Sequence, residues 1–389
     1  MSFSIQHSAF SIRLLTWFAA NKRDLPWRAE PRDPYHVWLA EIMLQQTGVE
    51  TVIPYYARWL ARFPTLAAFA AAPLDDALKL WEGLGYYSRV RHFHRAAQVV
   101  VQEHAGQIPN TADGLLALPG IGAYTAGAIA SLAFAQDAPL VDGNVRRVLG
   151  RAFAGDPRDT WQLARDLLPP GHAGEFNEAL MDLGATICTP KSPRCLRQIG
   201  ACPVMALCRA YALGDPESHP PKKQKPATPH RAICTVVLQN PRGCWLMGQR
   251  PARGLLGGLW EFPSTNFDVS AEGSRADMAA QAQAMLAEKC GLGVDIGEEN
   301  LIGAVKHAFT HFKITRHVFF VHQKPRRLAQ KKLAGGTLAG QPARLESEFY
   351  QLLRFVSREE LAALALTRSD LRIVEMVESH VSQPPKKGR

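Results

Sequence analysis

The stretch Leu115–Val145, LLALPGIGAYTAGAIASLAFAQDAPLVDGNV, constrains this chain more than any other. Pro119 and Gly120 cannot continue a helix, so a short helix capped by Thr111 or Asp113 is expected to end at Leu118. Gly120-Ile121-Gly122 then permits a turn with positive φ, in which backbone N–H groups point outward with no Cβ in the way. A second helix follows at once, over Tyr124–Phe134, and its unpaired N–H groups face the same side. Such a turn holds a phosphate without reading a base. An ordinary helical hairpin would satisfy the glycines alone. The pattern gains meaning from Asp142, which opens a further helix in VDGNVRRV.

Upstream, residues 10–20 read as an amphipathic helix, followed by the loop Leu25–Trp27. In YHVWLAEIMLQQT, Val37, Trp38, Ile42 and Met43 recur at helical spacing after the break at Pro34. Glu41 sits inside that apolar set, where a carboxylate turns outward, caps something, or is buried with a raised pKa. Gln45, Gln46 and Thr47 fall at the helix end, a place that also suits plain solvation. In WEGLGYYSRVRHFHRAA a helix ends near Trp81, Gly83 and Gly85 break it, and Tyr86 is expected to begin the next helix, rich in Arg89, Arg91, His92 and Arg95. Aromatics at a glycine turn before basic residues suit base stacking beside phosphate contacts, though they also suit a core.

At 389 residues the chain exceeds one comfortable core, so two domains are expected. No run is apolar enough to span a membrane, and Met1–Phe10 lacks the features of a secretory signal. A net charge of +10 suits a polyanionic partner without specifying one. Of seven cysteines, four follow the spacing C-x6-C-x6-C-x5-C: Cys188, Cys195, Cys202 and Cys208. At this chain length that reads as a cytosolic metal site rather than a disulfide scaffold, and tetrahedral zinc and a 4Fe–4S cluster fit equally. Lys191, Arg194, Arg197 and Arg209 surround it.

Proline and lysine dominate residues 215–230, an extended connector between a helical domain over 1–214 and a second domain over 231–378, with a basic tail at 379–389. Beyond the connector the pattern turns to strands. AICTVVL and CWLMGQR are expected to form a hairpin across Asn240–Gly243, and FKITRHVFFV alternates well enough for another strand. ADMAAQAQAMLAEKCGL reads as one helix packed on the sheet. The basic segment Lys324–Lys332 reads as solvated.

Hairpin, aspartate and cysteines in this order resemble the helix-hairpin-helix DNA glycosylase superfamily. A lysine stands at the position of Tyr124 in members that also cut the strand, and tyrosine has no amine for a Schiff base, so the resemblance is to monofunctional glycosylases. AEIMLQQT and the whole order of motifs are similar to the adenine-excising MutY family. That likeness implies an all-α glycosylase domain carrying an iron–sulfur loop, followed by an α+β Nudix-like domain, acting as a monomer on duplex DNA with adenine opposite 8-oxoguanine or guanine. It implies Glu41 as the acid and Asp142 as the support of the developing sugar cation, with Tyr124 and Asn144 positioning them. Gln45 and Gln46 would enter the disrupted stack, Tyr86 would wedge it open, and Gly120 and Gly122 would meet phosphate. The family's cysteine pattern is C-x6-C-x2-C-x5-C, which favours a 4Fe–4S cluster here, with four extra residues between Cys195 and Cys202. In the second half, the box helix that would hold magnesium in a Nudix hydrolase retains only Glu288, so that domain is expected to bind rather than cut. Phe309, Thr310 and His311 resemble the family's turn that inspects 8-oxoguanine.

Three rival readings are weaker. An endonuclease III-like enzyme for damaged pyrimidines is disfavoured by Tyr124 and by the second domain. A non-catalytic DNA-binding scaffold would not need both Glu41 and Asp142. A nucleotide-pool hydrolase lacks its carboxylates.

Overall fold

The computed structural model describes residues 3–156, 158–221, 227–266, 273–309, 311–323, 325–327, 345, 347 and 349–382. The chain forms two compact units, Met1–Ala72 with Arg89–Lys225, and Pro73–Ser88 with Pro226–Arg389. A short piece of the helical half, Pro73–Ser88, thus packs with the second half.

The first unit is helical. It holds α1 (Phe3–Asn21), α2 (Pro34–Leu44), α3 (Val49–Arg62) and α4 (Leu66–Ala71). Helix α5 (Leu74–Leu80) belongs to the second unit, and α6 (Ser88–Glu103) returns the chain to the first. Then come α7 (Ala112–Leu116), α8 (Ala123–Phe134), α9 (Gly143–Ala152), α10 (Thr160–Leu167), α11 (Ala173–Thr186) and α12 (Arg209–Ala212). Side-chain caps set several starts. Asp33 accepts the Tyr35 N–H at 2.7 Å ahead of Pro34, and Thr111 accepts the Gly114 N–H at 3.2 Å.

One core of this unit is built from residues spaced a turn apart. Phe10, Leu14 and Phe18 of α1 meet Val145, Val148 and Leu149 of α9 and Phe176, Leu180 and Leu183 of α11. Each such buried side chain contributes about 1.5–3 kcal/mol. Helix α8 is enclosed almost all round, and at Gly127 a Cβ would stand 2.1 Å from the Pro139 carbonyl oxygen. That close approach brings the chain leading to Asp142 directly against the hairpin's second helix. Asn177 of α11 fastens it there, donating to Ser131 Oγ and to the Ala138 carbonyl at 2.9 Å each.

The second unit is a sheet between helices. Strands β1 (His230–Gln239), β2 (Trp245–Gln249), β3 (Trp260–Glu261), β5 (Leu301–Ala308), β6 (Lys313–His322) and β8 (Leu352–Val356) form it, while β4 (Leu292–Gly293) pairs with β7 (Arg326–Arg327). The order is β3-β2-β1-β6-β5, with β8 beside β2. β1 runs parallel to β6 along its whole length, and β6 turns back antiparallel on β5. Alternation along β1 sends Val236 and Leu238 into a core with α13 (Arg275–Cys290). Val237 enters the opposite core with α15 (Arg368–Val381); α14 (Arg358–Ala363) contributes Leu361 to that core. Ser274 and Asp277 form a capping box at the start of α13, and Gly291 ends it at φ 62°.

The expected hairpin of β1 and β2 is present: the two pair antiparallel at Gln239–Trp245 next to the turn, while β6 lines the other edge of β1 and β8 pairs with β2. Two local expectations need correction. The helix after the double glycine begins at Ser88 rather than Tyr86, because Tyr86 sits at φ 48°, outside the helical region. The first helix of the glycine hairpin stops at Leu116, and the next residues close as a tighter turn with Leu118 N–H on the Leu115 carbonyl at 3.1 Å.

Candidate active site

Glu41, Tyr124, Asp142 and Asn144 line one cavity of about 300 Å³ in the first unit. This lies at the small end of the range of ligand pockets. Glu41 arrives from the middle of α2 and is 4% exposed. Its carboxylate accepts a hydrogen bond from the Tyr124 hydroxyl. Burial pushes its carboxyl up to about 7; the Tyr124 bond works the other way, and the charges of Asp142 and Glu178 push it further up. The Tyr124 hydroxyl also lies 3.8 Å from Met181 Sδ, and burial beside Glu41 raises it well above the ordinary phenol range.

Asp142 has the opposite setting. It is the N-cap of α9, where Oδ1 accepts the Val145 N–H at 2.7 Å and Oδ2 accepts from Asn144 Nδ2 at 2.8 Å. Helix-terminal N–H groups and the dipole favour an anion there. Gly184 lets α11 approach this turn closely, since a Cβ there would stand 2.5 Å from that of Asn144.

Sequence reasoning missed the opposite wall of the cavity. Arg28 donates to Glu178 at 2.9 Å and to both oxygens of Asp182 at 2.8 and 3.0 Å. Arg32 adds two bonds to Glu178 at 3.1 Å, and Arg23 donates to Asp182 from Nε at 2.8 Å and from its backbone N–H at 3.3 Å. Burial opposes the charge on Asp182, yet these guanidinium bonds hold its carboxyl below the usual range. The signal was present: two acids one turn apart in the apolar helix FNEALMDLG, and the arginines of RDLPWR.

The residues expected to meet DNA have distinct local settings. Arg89 receives the end of α2, donating to the Ile42 and Met43 carbonyls at 2.8 and 3.0 Å. Just beyond, Gln45 reaches Thr125 Oγ1 at 3.3 Å, and Gln46 is exposed at φ 58°. Gly120 has φ 77° and packs on His92, where a Cβ would collide at 2.4 Å. Gly122 begins α8 with no side-chain cap and open space where its Cβ would be, so the helix's first N–H groups remain accessible.

Tyr86 belongs to the second unit. It is 43% exposed, and the turn beneath it is tied down: the Leu366 N–H donates to Glu82 at 2.7 Å, Lys79 donates to the Leu364 carbonyl at 2.9 Å, and the buried Tyr87 hydroxyl donates to the Leu366 carbonyl at 3.3 Å. Also in this unit, Phe309 and His311 stand in the β5–β6 turn, where the Phe309 N–H donates to the Phe312 carbonyl at 2.8 Å and the two rings stack at 4.6 Å. Thr310 lies outside the described residues. At the former box, Glu288 is followed by buried Lys289, whose ammonium donates to the Ser264 carbonyl at 2.7 Å.

Cys188, Cys195, Cys202 and Cys208 line a second cavity of the first unit. The extra residues between Cys195 and Cys202 loop outward, with Ile199 89% exposed and the reversal at Gly200, φ 82°. The longer spacing therefore leaves the third cysteine beside the others. Burial and neighbouring thiols push Cys195 and Cys208 up and Cys202 up to about 12, so a cationic group is what would let them ionise together. Four cysteines lining one cavity are the donor set that a metal centre of this unit would use. Arg151 lies behind it, with Nη1 3.3 Å from Cys188 Sγ. Arg147 joins the two cavities, donating to the Cys188 carbonyl at 2.6 Å and to Asn144 Oδ1 at 2.7 Å.

Both halves of the chain match known proteins. Residues 39–170 match the HhH-GPD superfamily of base excision DNA repair proteins, and residues 234–376 match the NUDIX domain. The adenine DNA glycosylase of Mus musculus is 40% identical over 370 residues, covering 80% of this chain and 70% of its own. That of Schizosaccharomyces pombe is 34% identical, covering 81% and 82%. The structure of a thermostable thymine-DNA glycosylase superposes with a TM-score of 0.51 at 31% identity, covering 55% of this chain and all of that one. No helix among the described residues is long and apolar enough to cross a membrane. The chain belongs to the adenine DNA glycosylase family, base excision repair enzymes in which a helical HhH-GPD domain precedes a Nudix-like domain.

Proposed function

We propose that this enzyme hydrolyses the N-glycosidic bond of adenine opposite 8-oxoguanine or guanine in duplex DNA. The observation that carries the reading is the pairing of a buried carboxyl, Glu41, with an N-capping carboxylate, Asp142, on one cavity. Glycoside cleavage needs this division: one acid that holds a proton near neutrality, one anion that faces a developing cation. With the base turned out of the stack, Glu41 gives its proton to adenine N7 as the C1′–N9 electron pair leaves with the base. The Asp142 carboxylate stabilises the oxocarbenium-like sugar until water adds at C1′. Tyr124 and Asn144 hold the two carboxyls in place. Tyr124 cannot form a Schiff base, so the product is an intact strand with an abasic site.

Gln45, Gln46 and Tyr86 support the opened stack, and the Gly120–Gly122 turn takes a phosphate. The four cysteines hold an iron–sulfur cluster, which would fix the loop Cys188–Cys208 and through Arg147 the turn carrying Asp142. Phe309, Thr310 and His311 read the opposite base. 8-Oxoguanine differs from guanine by an N7–H donor and a C8 carbonyl, and one hydrogen-bond pair at such an edge discriminates by about 1–3 kcal/mol.

The test is single-turnover excision on duplexes with adenine opposite 8-oxoguanine, guanine or thymine, with alkali added or withheld. The reading expects 8-oxoguanine to be preferred and strand breaks to appear with alkali alone. His311→Ala should reduce the preference over guanine by about tenfold or more. Equal rates on all three duplexes, or breaks without alkali, would overturn it.

A further inference from the structure

One cavity of the second unit has no part in the chemistry above. It is about 450 Å³, opens to solvent at one end of the sheet, and its charged lining consists of Lys306, Lys313, Arg368 and Arg372, with His230 and His307 beside them. No acidic side chain lines it. None of the four cations carries an ion pair among the described residues. Arg372 is aimed by a bond to the Lys306 carbonyl at 3.2 Å, and His230 by a contact with Thr315 Oγ1 at 3.0 Å. The nearby Asp370 does not neutralise the group, because it is wholly buried against Arg316 at 2.9 Å. Gathering like charges without counter-charge is unfavourable, so the arrangement is one that an anion completes.

Its place in the fold narrows the anion. Lys306 and His307 end β5 and Lys313 begins β6, so the cations flank the Phe309–Phe312 turn on both sides, while Arg368 and Arg372 reach the same cavity from the first turns of α15. All four cations are exposed. The lining has two imidazoles but no phenyl, phenol or indole ring on which a nucleobase could stack. An exposed, permanently charged trough suits a backbone that passes through it better than a free nucleotide that must be enclosed.

We propose that this cavity seats a phosphodiester of the DNA strand whose base the Phe309–Phe312 turn meets. The inference rests on the reading of that turn given above. The seat would fix where the strand lies on the hairpin, and so which base is presented to His311, while contributing nothing to base choice itself. His307, which burial and then the surrounding arginines hold below the ordinary imidazole range, adds a neutral hydrogen-bonding group rather than a charge.

The full chain and its Lys306→Gln/Lys313→Gln variant provide the test. Binding is measured against salt concentration on two duplexes, with a non-hydrolysable 2′-fluorinated adenosine opposite 8-oxoguanine or guanine. Both exposed lysines can be replaced without disturbing the core. Losing one phosphate contact should lower the slope of log affinity against log salt by about one and weaken both duplexes alike, about fivefold at physiological salt. An unchanged slope would overturn the proposal. Loss confined to the 8-oxoguanine duplex would also overturn it, since the lysines would then read the base. Titration with inorganic phosphate separates the sources of the anion. Saturable, lysine-dependent binding of free phosphate, with duplex affinity unaffected in the variant, would assign the cavity to a small molecule instead. Failure of the base-reading role is seen separately, as unaltered selectivity in His311→Ala, and leaves the salt slope to stand by itself.

Discussion

Both units bury carboxylates, but they use them differently. In the second unit Glu261 accepts from Arg250 at 2.8 and 3.0 Å and from the Tyr350 hydroxyl at 3.1 Å, while Asp370 is paired with Arg316. Tyr350 packs so close to Gly248 that a Cβ there would stand 2.5 Å from its ring. These carboxylates are consumed by structure. In the first unit Glu178 and Asp182 are consumed in the same way by Arg23, Arg28 and Arg32, yet Glu41 beside them is hydrogen-bonded by a phenol, not a cation. A buried carboxyl lacking a cationic partner keeps its proton to higher pH, and a proton held near neutrality can be delivered. The difference that supports the proposed role of Glu41 is the kind of partner it has, a phenol rather than a bonded guanidinium, not the number of buried acids.

The strongest way to break this contrast is to remove the two catalytic groups. Glu41→Gln and Asp142→Asn should each lower single-turnover adenine excision by about 100-fold or more while leaving mispair binding largely intact. Near-normal excision by either would show that its role is misassigned. Next in size is the paired wall. Arg28→Met leaves Glu178 and Asp182 short of a partner and should cost about 3–5 kcal/mol in denaturant unfolding. Glu261→Gln, its counterpart in the second unit, should cost stability on a similar scale but leave the excision step within about tenfold of normal. A large kinetic defect with normal binding there would erase the distinction between the units.

Smaller effects sharpen it. Metal analysis of anaerobically purified protein should give iron, about four per chain, and Cys202→Ser should lose it. Excision should slow with it, through the Arg147–Asn144 link to Asp142. One zinc and no iron would contradict the assignment. Gly184→Ala, which drives a methyl against Asn144, should reduce excision with little change in DNA affinity; an unaffected rate would show that the turn tolerates displacement.

Much of the site was legible because its signals are local. Glu41 stood out as a charge on an apolar helical face, and the turn chemistry of Gly120–Gly122 and the capping pattern at Asp142 are each written within a few residues. What was missed depends on distant partners. Arg28 meets Glu178 and Asp182 across about 150 positions, so each half looked like ordinary surface charge. The β1–β2 hairpin was legible from its turn residues, whereas the parallel pairing of β1 with distant β6 was not. Nothing near Tyr86 announced that residues 73–88 would pack with the second unit, because the bonds that hold them end at Leu364 and Leu366. That packing also bears on truncation: removing residues 226–389 takes away the partners of Glu82, Lys79 and Tyr87 as well as the turn proposed to read the base.

The central claim, that Glu41 delivers its own proton, is tested most directly by the pH dependence of single-turnover excision. Because burial raises the Glu41 carboxyl to about 7, its acid form is present below that pH and lost above it. The rate should therefore be flat at lower pH and fall as pH rises through about 7. In Tyr124→Phe, which removes a bond that favours the carboxylate, the fall should move to higher pH, and in the residual activity of Glu41→Gln it should vanish. An identical fall in the Glu41→Gln variant, or a rate that climbs through this range in the unaltered enzyme, would contradict the account.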